Sequence, residues 1–239
     1  MVFVDVPVLC GHRGSGRGEG ENTLESFRAA VAAGLPWVEV DARANAGGVL
    51  VAAHEAVAPG GAFVSELSSA DTDALGIMRV ADLLEDLPRA IGVNVELKTA
   101  LEDAGRPRAL TTAALAADLL APHSGRRPLL VSSFDPSAPV IFGERAPGIP
   151  LGLLTWRRFP LRKAIPAAVH LGFQVVAPHI ESFGLRQPSL PAGERPVAES
   201  IRAAHEAGLQ VVAWCPAPDE QPGLIAAGVD CLIVDEVAR

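Results

Sequence analysis

WVEVD, residues 37–41, is the stretch whose reading decides the fold. It is a short, β-branched run, yet Glu39 and Asp41 interrupt it at i and i+2. In a strand, that spacing sends both carboxylates to one face and Val38 and Val40 to the other. VNVEL, residues 93–97, and the Lys98 that follows repeat the device: Glu96 and Lys98 share one face, Val95 and Leu97 the other. A valine face suits burial under helices, so the charged face must look into an interior.

Working outward, further short runs rich in Val, Ile and Leu fall at 6–10, 129–133, 150–154, 174–178, 210–214 and 230–235. They lack polar alternation, as expected of parallel strands buried on both faces. Helical patterns separate them. Residues 22–34 place Leu24, Phe27 and Val31 on one stripe, with Asn22 and Glu25 spaced as a capping box and Gly34 as the stop. Val80, Leu83, Leu84 and Leu87 repeat the stripe up to Pro88. Further helices are expected at 101–121, 139–145, 161–172, 196–208 and 219–228, the third of these starting late or kinking at Pro166.

Eight strands alternating with helices predict one (β/α)8 barrel over 1–239, with a doubly wound open sheet as the alternative. An extra apolar run begins at Val49, and the excursion over 55–78 is too long for a plain connection. It is expected to be a small insertion over the barrel mouth. The chain ends four residues after Asp235, so the eighth helix is expected to be missing or truncated.

Composition excludes several functions. Apolar residues make up 49% and charged residues 20%, which rules out general disorder. A net charge of −8, with no basic run, argues against nucleic-acid binding. No segment approaches the roughly 18 apolar residues of a membrane span, so no stable membrane insertion is expected. The first ten residues read as a strand, not a signal peptide. Cys10, Cys215 and Cys231 lie in apolar runs without motif spacing, which predicts reduced, buried thiols and a cytoplasmic chain. No motif fixes an oligomeric state.

Glu39, Asp41 and Glu96 would repel one another at the carboxyl end of a barrel. A hard cation such as Mg²⁺ or Ca²⁺ would bridge them, or Arg13, Lys98 and Arg43 would neutralise them as a salt-bridge network. Two histidines at the same rim, His12 after the first strand and His54 after the extra run, favour the cation. They suit general acid–base work near neutral pH. Arg13 and Lys98 complement a phosphate, so the set fits phosphodiester cleavage. His179 is a further rim candidate, expected to make a surface hydrogen bond. His123, His170 and His205 read as structural, and Asp135 and Asp235 as loop braces. The glycine-rich stretch from Gly11 matches no nucleotide-phosphate motif; its glycines are expected to let the backbone turn and hold His12 and Arg13 at the mouth.

In order along the chain, GHRG, ENTLESF, VEVDAR, VLVAAHE, VNVELK, SSFD and GVDCLIVDE resemble the glycerophosphodiester phosphodiesterase family, over residues 11–235. The resemblance implies a (β/α)8 barrel with an insertion after the second strand. It implies hydrolysis of a small-molecule glycerophosphodiester to glycerol 3-phosphate and an alcohol, with one divalent cation: Mg²⁺ or Ca²⁺, or alternatively Mn²⁺. It makes His12 and His54 the acid–base pair, Glu39, Asp41 and Glu96 the metal ligands, and Arg13, Lys98 and Trp214 substrate-binding residues. Glu55 stands where the family usually has Asp, and Cys215–Pro216 where it usually has polar residues. The insertion is short and has one aromatic, Phe63. The alternatives are a related barrel phospholipase of the sphingomyelinase D type, acting on intact lipids, and a non-catalytic barrel that binds a phosphorylated metabolite.

Overall fold

The computed structural model describes residues 1–15, 20–185 and 193–236. Among them are nine strands: β1 (Val8–Gly11), β2 (Trp37–Ala44), β3 (Leu50–Ala52), β4 (Gly92–Leu97), β5 (Leu129–Ser133), β6 (Leu151–Thr155), β7 (Val175–Pro178), β8 (Gln210–Trp214) and β9 (Cys231–Val234). The helices are α1 (Leu24–Ala32), α2 (Ser69–Ala74), α3 (Val80–Asp86), α4 (Thr112–Leu120), α5 (Ser137–Arg145), α6 (Leu161–His170), α7 (Val197–Glu206) and α8 (Gln221–Ala227). All strands except β3 are parallel, in the order β1-β9-β8-β7-β6-β5-β4-β2, and β2 pairs back with β1. That last pairing closes the sheet into a (β/α)8 barrel and excludes the open doubly wound alternative. No helix follows β9 among the described residues; positions 237–239 lie outside them.

The extra run at Val49 becomes β3, antiparallel on β2 with Ala42 opposite Ala52. It returns the chain to the mouth and delivers His54 there. Beyond it, Val51, Ala58 and Val64 form a small apolar cluster under the 55–78 segment, which also carries α2.

The valines of the deciding stretch face the helices. Val38, Val40, Val93, Val95 and Leu97 are buried in one continuous layer with Phe27, Leu83, Leu84 and Phe142. A matching layer lies under α6, α7 and α8. The lumen is filled by Val8, Cys10, Leu130, Val175, Val212 and Ile233, with Trp37 and Phe3 packed at a ring separation of 5.0 Å. Gly92 is required here: a Cβ on it would enter the Trp37 ring.

Three local readings are corrected. Asn22 does not cap α1. Thr23 does, accepting from the Ser26 N–H at 3.2 Å, while Asn22 takes a left-handed φ of 57° and turns its amide elsewhere. Thr23→Ala should therefore lower stability by about 1 kcal/mol, read from a denaturant midpoint, and leave the site intact. The helix expected over 101–121 begins only at Thr112. Gly105 and Pro107 break the pattern into two 3₁₀ turns, and Thr111 caps what remains. Finally, α6 does not start late: it begins at Leu161 and includes Pro166. Pro166 is exposed, so the carbonyl it leaves without a helical donor can turn to water.

Candidate functional site

Register places the acids together. Asp41 sits opposite Glu96, and Glu39 opposite Asn94. All three carboxylates are buried, and one oxygen from each lies within 4.8 Å of the others. Such a cluster needs positive charge, and the chain supplies part of it. Lys98 Nζ is 3.0 Å from Asp41 Oδ1 and pairs with Glu96. Arg13 Nε is 3.1 Å from Asp41 Oδ2. Arg13 also donates from Nη1 to both oxygens of Glu21 at 3.0 Å, and its Nη2 lies 3.2 Å from His54 Nε2. Arg43 forms no direct ion pair with the acids, although its charge acts on Asp41 and Glu96 from a distance. Its guanidinium donates to the carbonyls of Ala53 and His54, pinning the loop that presents His54.

The balance is incomplete. Glu39 Oε2 accepts the Arg13 backbone N–H at 3.0 Å, but Glu39 Oε1 is buried with no hydrogen-bond partner among the described residues. The two cations that pair with the cluster, one of them shared with Glu21, reach Asp41 and Glu96 and leave Glu39 without a paired Lys or Arg among the described residues. Burial, reinforced by Asp41 and Glu96, pushes the Glu39 carboxyl well above its ordinary range. Burial also raises Glu96, against the pull of Lys98. At Asp41 burial is outweighed: the hydrogen bond from His54, the charges of Lys98 and Arg13, and the Asn22 amide hold it below the ordinary value. The Lys98 ammonium is raised because Glu96 and Asp41 overcome its own desolvation. A three-carboxylate donor set with an unmet buried oxygen fits a hard divalent cation. Glu39, Asp41 and Glu96 can hold one.

The two histidines flank the acids. His12 is buried; its Nδ1 lies 2.6 Å from Asp235 Oδ1, and its Nε2 is 3.9 Å from Glu39 Oε2. His54 Nδ1 lies 3.3 Å from Asp41 Oδ2, and its Nε2 is 3.7 Å from Glu55 Oε1 on an otherwise exposed side chain. The turn carrying His12 and Arg13 is held tightly. Arg13 itself is left-handed at φ 51°, and Gly14 has φ 97° at a point where a Cβ would strike Ser26 of α1. Backbone strain of this kind costs about 1–3 kcal/mol per residue and collects at functional sites. Gly16, Arg17, Gly18 and Glu19 of the same stretch lie outside the described residues.

These groups line a cavity of about 620 Å³ at the carboxyl ends of the strands. Its far wall is aromatic. Phe134, just past β5, stacks on Trp156, just past β6, at 4.2 Å; Trp214 meets Phe134 edge-on at 5.5 Å. Trp214 Nε1 is buried without a partner among the described residues, and Trp156 is 65% exposed. His179 is buried against Trp214 and accepts the Glu181 N–H. His205 pairs with Asp230 and His170 bonds the Pro166 carbonyl, both remote from the acids. Cys10 and Cys231 are buried as expected, but Cys215 is only partly buried and lines the cavity.

Sequence reading missed the roles of five supporting residues. Asn22 brackets Asp41, donating from its amide at 2.9 Å and accepting the Asp41 N–H at 3.2 Å. Glu21 grips Arg13, and Asp235 holds His12 instead of bracing a loop. Phe134 and Trp156 were legible only as aromatics immediately after two strand runs.

Acids, imidazoles and cations gathered at the strand ends of a closed parallel barrel are the architecture of a barrel enzyme. The model of the glycerophosphoryl diester phosphodiesterase family matches residues 12–239, and the chain belongs to that enzyme family. Solved structures agree on the fold. A phosphodiesterase from Oleispira antarctica, solved with its product sn-glycerol-3-phosphate, is 23% identical with a TM-score of 0.75, over 96% of this chain and 93% of its own. A glycerophosphodiester phosphodiesterase from Thermotoga maritima is 22% identical with a TM-score of 0.74, over 97% of this chain and 95% of its own. No curated protein matches the sequence significantly. Among the described residues no helix is long and apolar enough to cross a membrane.

Proposed function

We propose that this chain hydrolyses a small glycerophosphodiester to glycerol 3-phosphate and an alcohol, using a divalent cation and the His12/His54 pair. The observation that carries the reading is Glu39 Oε1, buried and without a hydrogen-bond partner among the described residues, where three carboxylates converge. Glu39, Asp41 and Glu96 would hold Mg²⁺, Ca²⁺ or Mn²⁺. When bound, the cation would draw charge from a phosphoryl oxygen and so stabilise the crowded transition state. The reading treats 1–239 as one barrel domain, with 55–78 a small insertion over the barrel mouth.

The protein's own groups do the rest. Asp235 accepts from His12 Nδ1, which fixes the tautomer with a lone pair on Nε2. His12 Nε2 is therefore suited to take the proton of the attacking hydroxyl, whether from water or from the substrate's own glycerol. His54 Nδ1 is turned to Asp41, so Nε2 is the nitrogen left to supply a proton to the departing alkoxide once Arg13 Nη2 has moved from it to the phosphate. Arg13 and Lys98 sit beside the acids with charge to spare for the phosphate once a cation relieves them. Trp214, with Phe134 and Trp156, gives the alcohol an apolar wall.

The test is a panel of glycerophosphodiesters, sphingomyelin and lysolipids, assayed for released glycerol 3-phosphate with Mg²⁺, Mn²⁺ or Ca²⁺. The expected result is glycerol 3-phosphate from at least one soluble diester. Turnover of lipids alone would favour the phospholipase alternative. Tight binding of a diester with no turnover under any of the metals would favour the non-catalytic barrel.

A further inference from the structure

The mouth carries a second donor cluster, chemically unlike the first. Cys215 Sγ lies 3.7 Å from His12 Nδ1, and Asp235 Oδ1 lies 2.6 Å from the same nitrogen. All three donor atoms fall within 4.8 Å of one another. They come from the ends of β8, β1 and β9, neighbours in the sheet, and the backbone ties them further. Cys215 N–H donates to the Ile233 carbonyl at 2.9 Å, and His12 N–H to the Val234 carbonyl at 3.0 Å. Cys215 holds a left-handed φ of 56°, so its side-chain direction is set by a constrained turn and not by a loose loop.

We infer that Cys215, His12 and Asp235 form an inhibitory site for a thiophilic divalent cation such as Zn²⁺. Thiolate, imidazole and carboxylate are the ligands that zinc takes, with bonds of about 2.0–2.3 Å in a tetrahedral arrangement, which puts its donors about 3.3–3.7 Å apart. The sulfur–nitrogen separation already meets that spacing. The carboxylate must withdraw by well under an ångström, and Asp235 keeps partial exposure that permits it. Access exists from both sides. His12 faces the catalytic cavity, while Asp235 and Cys215 also line an adjoining one of about 810 Å³. The all-oxygen triad selects Mg²⁺ or Ca²⁺ and this cluster selects zinc, so the two ions are sorted by ligand softness.

Occupation has a defined proton balance. The thiol proton leaves to solvent, the Nδ1 proton moves to Nε2, and Nδ1 becomes the ligand. His12 then has no lone pair on Nε2 with which to accept a proton. Inhibition thus rests on the proposed role of His12, whereas the existence of the site does not.

The experiment reads the site directly. Metal-stripped protein is titrated with Co²⁺ as a spectroscopic substitute for zinc. A thiolate-to-cobalt charge-transfer band is expected in the wild type and in Glu39→Gln, and is expected to vanish in Cys215→Ser. Zn²⁺ should also protect Cys215 from alkylation in the wild type, a measurement that needs no variant. In the Mg²⁺-loaded enzyme, zinc inhibition should weaken in Cys215→Ser by more than the roughly tenfold that even an outer-shell change costs a metal site. Absence of the cobalt band, or alkylation of Cys215 at the same rate with and without zinc, overturns the site. Equal zinc inhibition of wild type and Cys215→Ser would move the inhibition to the carboxylate triad and overturn the regulatory role.

Discussion

His12→Ala is expected to lower kcat by about 10²–10⁴-fold, the usual worth of a positioned acid–base group, with circular dichroism and melting unchanged. The reasoning is geometric. Nδ1 is committed to Asp235 at 2.6 Å, which leaves Nε2 to handle the proton. His12 is buried but contributes little to the apolar core, so the loss should fall on turnover and not on folding. Asp235→Asn provides the companion readout. An amide in place of the carboxylate can offer its N–H to Nδ1 and stabilise the opposite tautomer. A drop in kcat with KM nearly constant is then expected. If His12→Ala turned over normally, the acid–base assignment would be wrong.

The second large effect is at Glu39. Glu39→Gln should abolish measurable turnover and weaken divalent-cation binding, and it should reverse the order of stability between conditions. In EDTA the variant should melt at least as high as the wild type, because a buried carboxylate with an unmet oxygen has been replaced by a neutral amide. In excess Mg²⁺ the wild type should overtake it, since a ligand at about 100 times its Kd adds about 2.7 kcal/mol to the native state. Differential scanning in the two conditions checks this. An equal Mg²⁺-induced shift in both proteins would remove Glu39 from the metal site.

What the sequence revealed and what it hid follow from the range of each interaction. The two-residue alternation in WVEVD and VNVEL is a local property of a strand, so the inward acids and outward valines could be read without any tertiary information. The parallel runs were legible for the same reason, with ends displaced by at most two residues except in β2, which runs three residues further, to Ala44. Asp235 was not legible as the partner of His12, because 223 positions separate them and only barrel closure through β1 and β9 brings them together. Asn22 misled because it carries two compatible local roles. Its spacing to Glu25 mimics a capping box, but Asp41 competes for its amide and wins with two hydrogen bonds. Arg43 shows the converse. Its charge beside an acid cluster suggested a direct salt bridge, whereas its hydrogen bonds go to two backbone carbonyls that position His54 and its charge acts on the acids only from a distance. The aromatic wall combines both limits: Phe134 and Trp156 each follow their own strand, and only the pairing of β5 with β6 brings them into a stack.

The most direct test is metal removal and restoration in a single preparation. Protein treated with EDTA and desalted should release no glycerol 3-phosphate from a glycerophosphodiester that the untreated protein cleaves. Adding Mg²⁺, Mn²⁺ or Ca²⁺ should restore turnover in proportion to a single cation bound per chain, and should fail in Glu39→Gln. Full turnover by the metal-free protein would contradict the account.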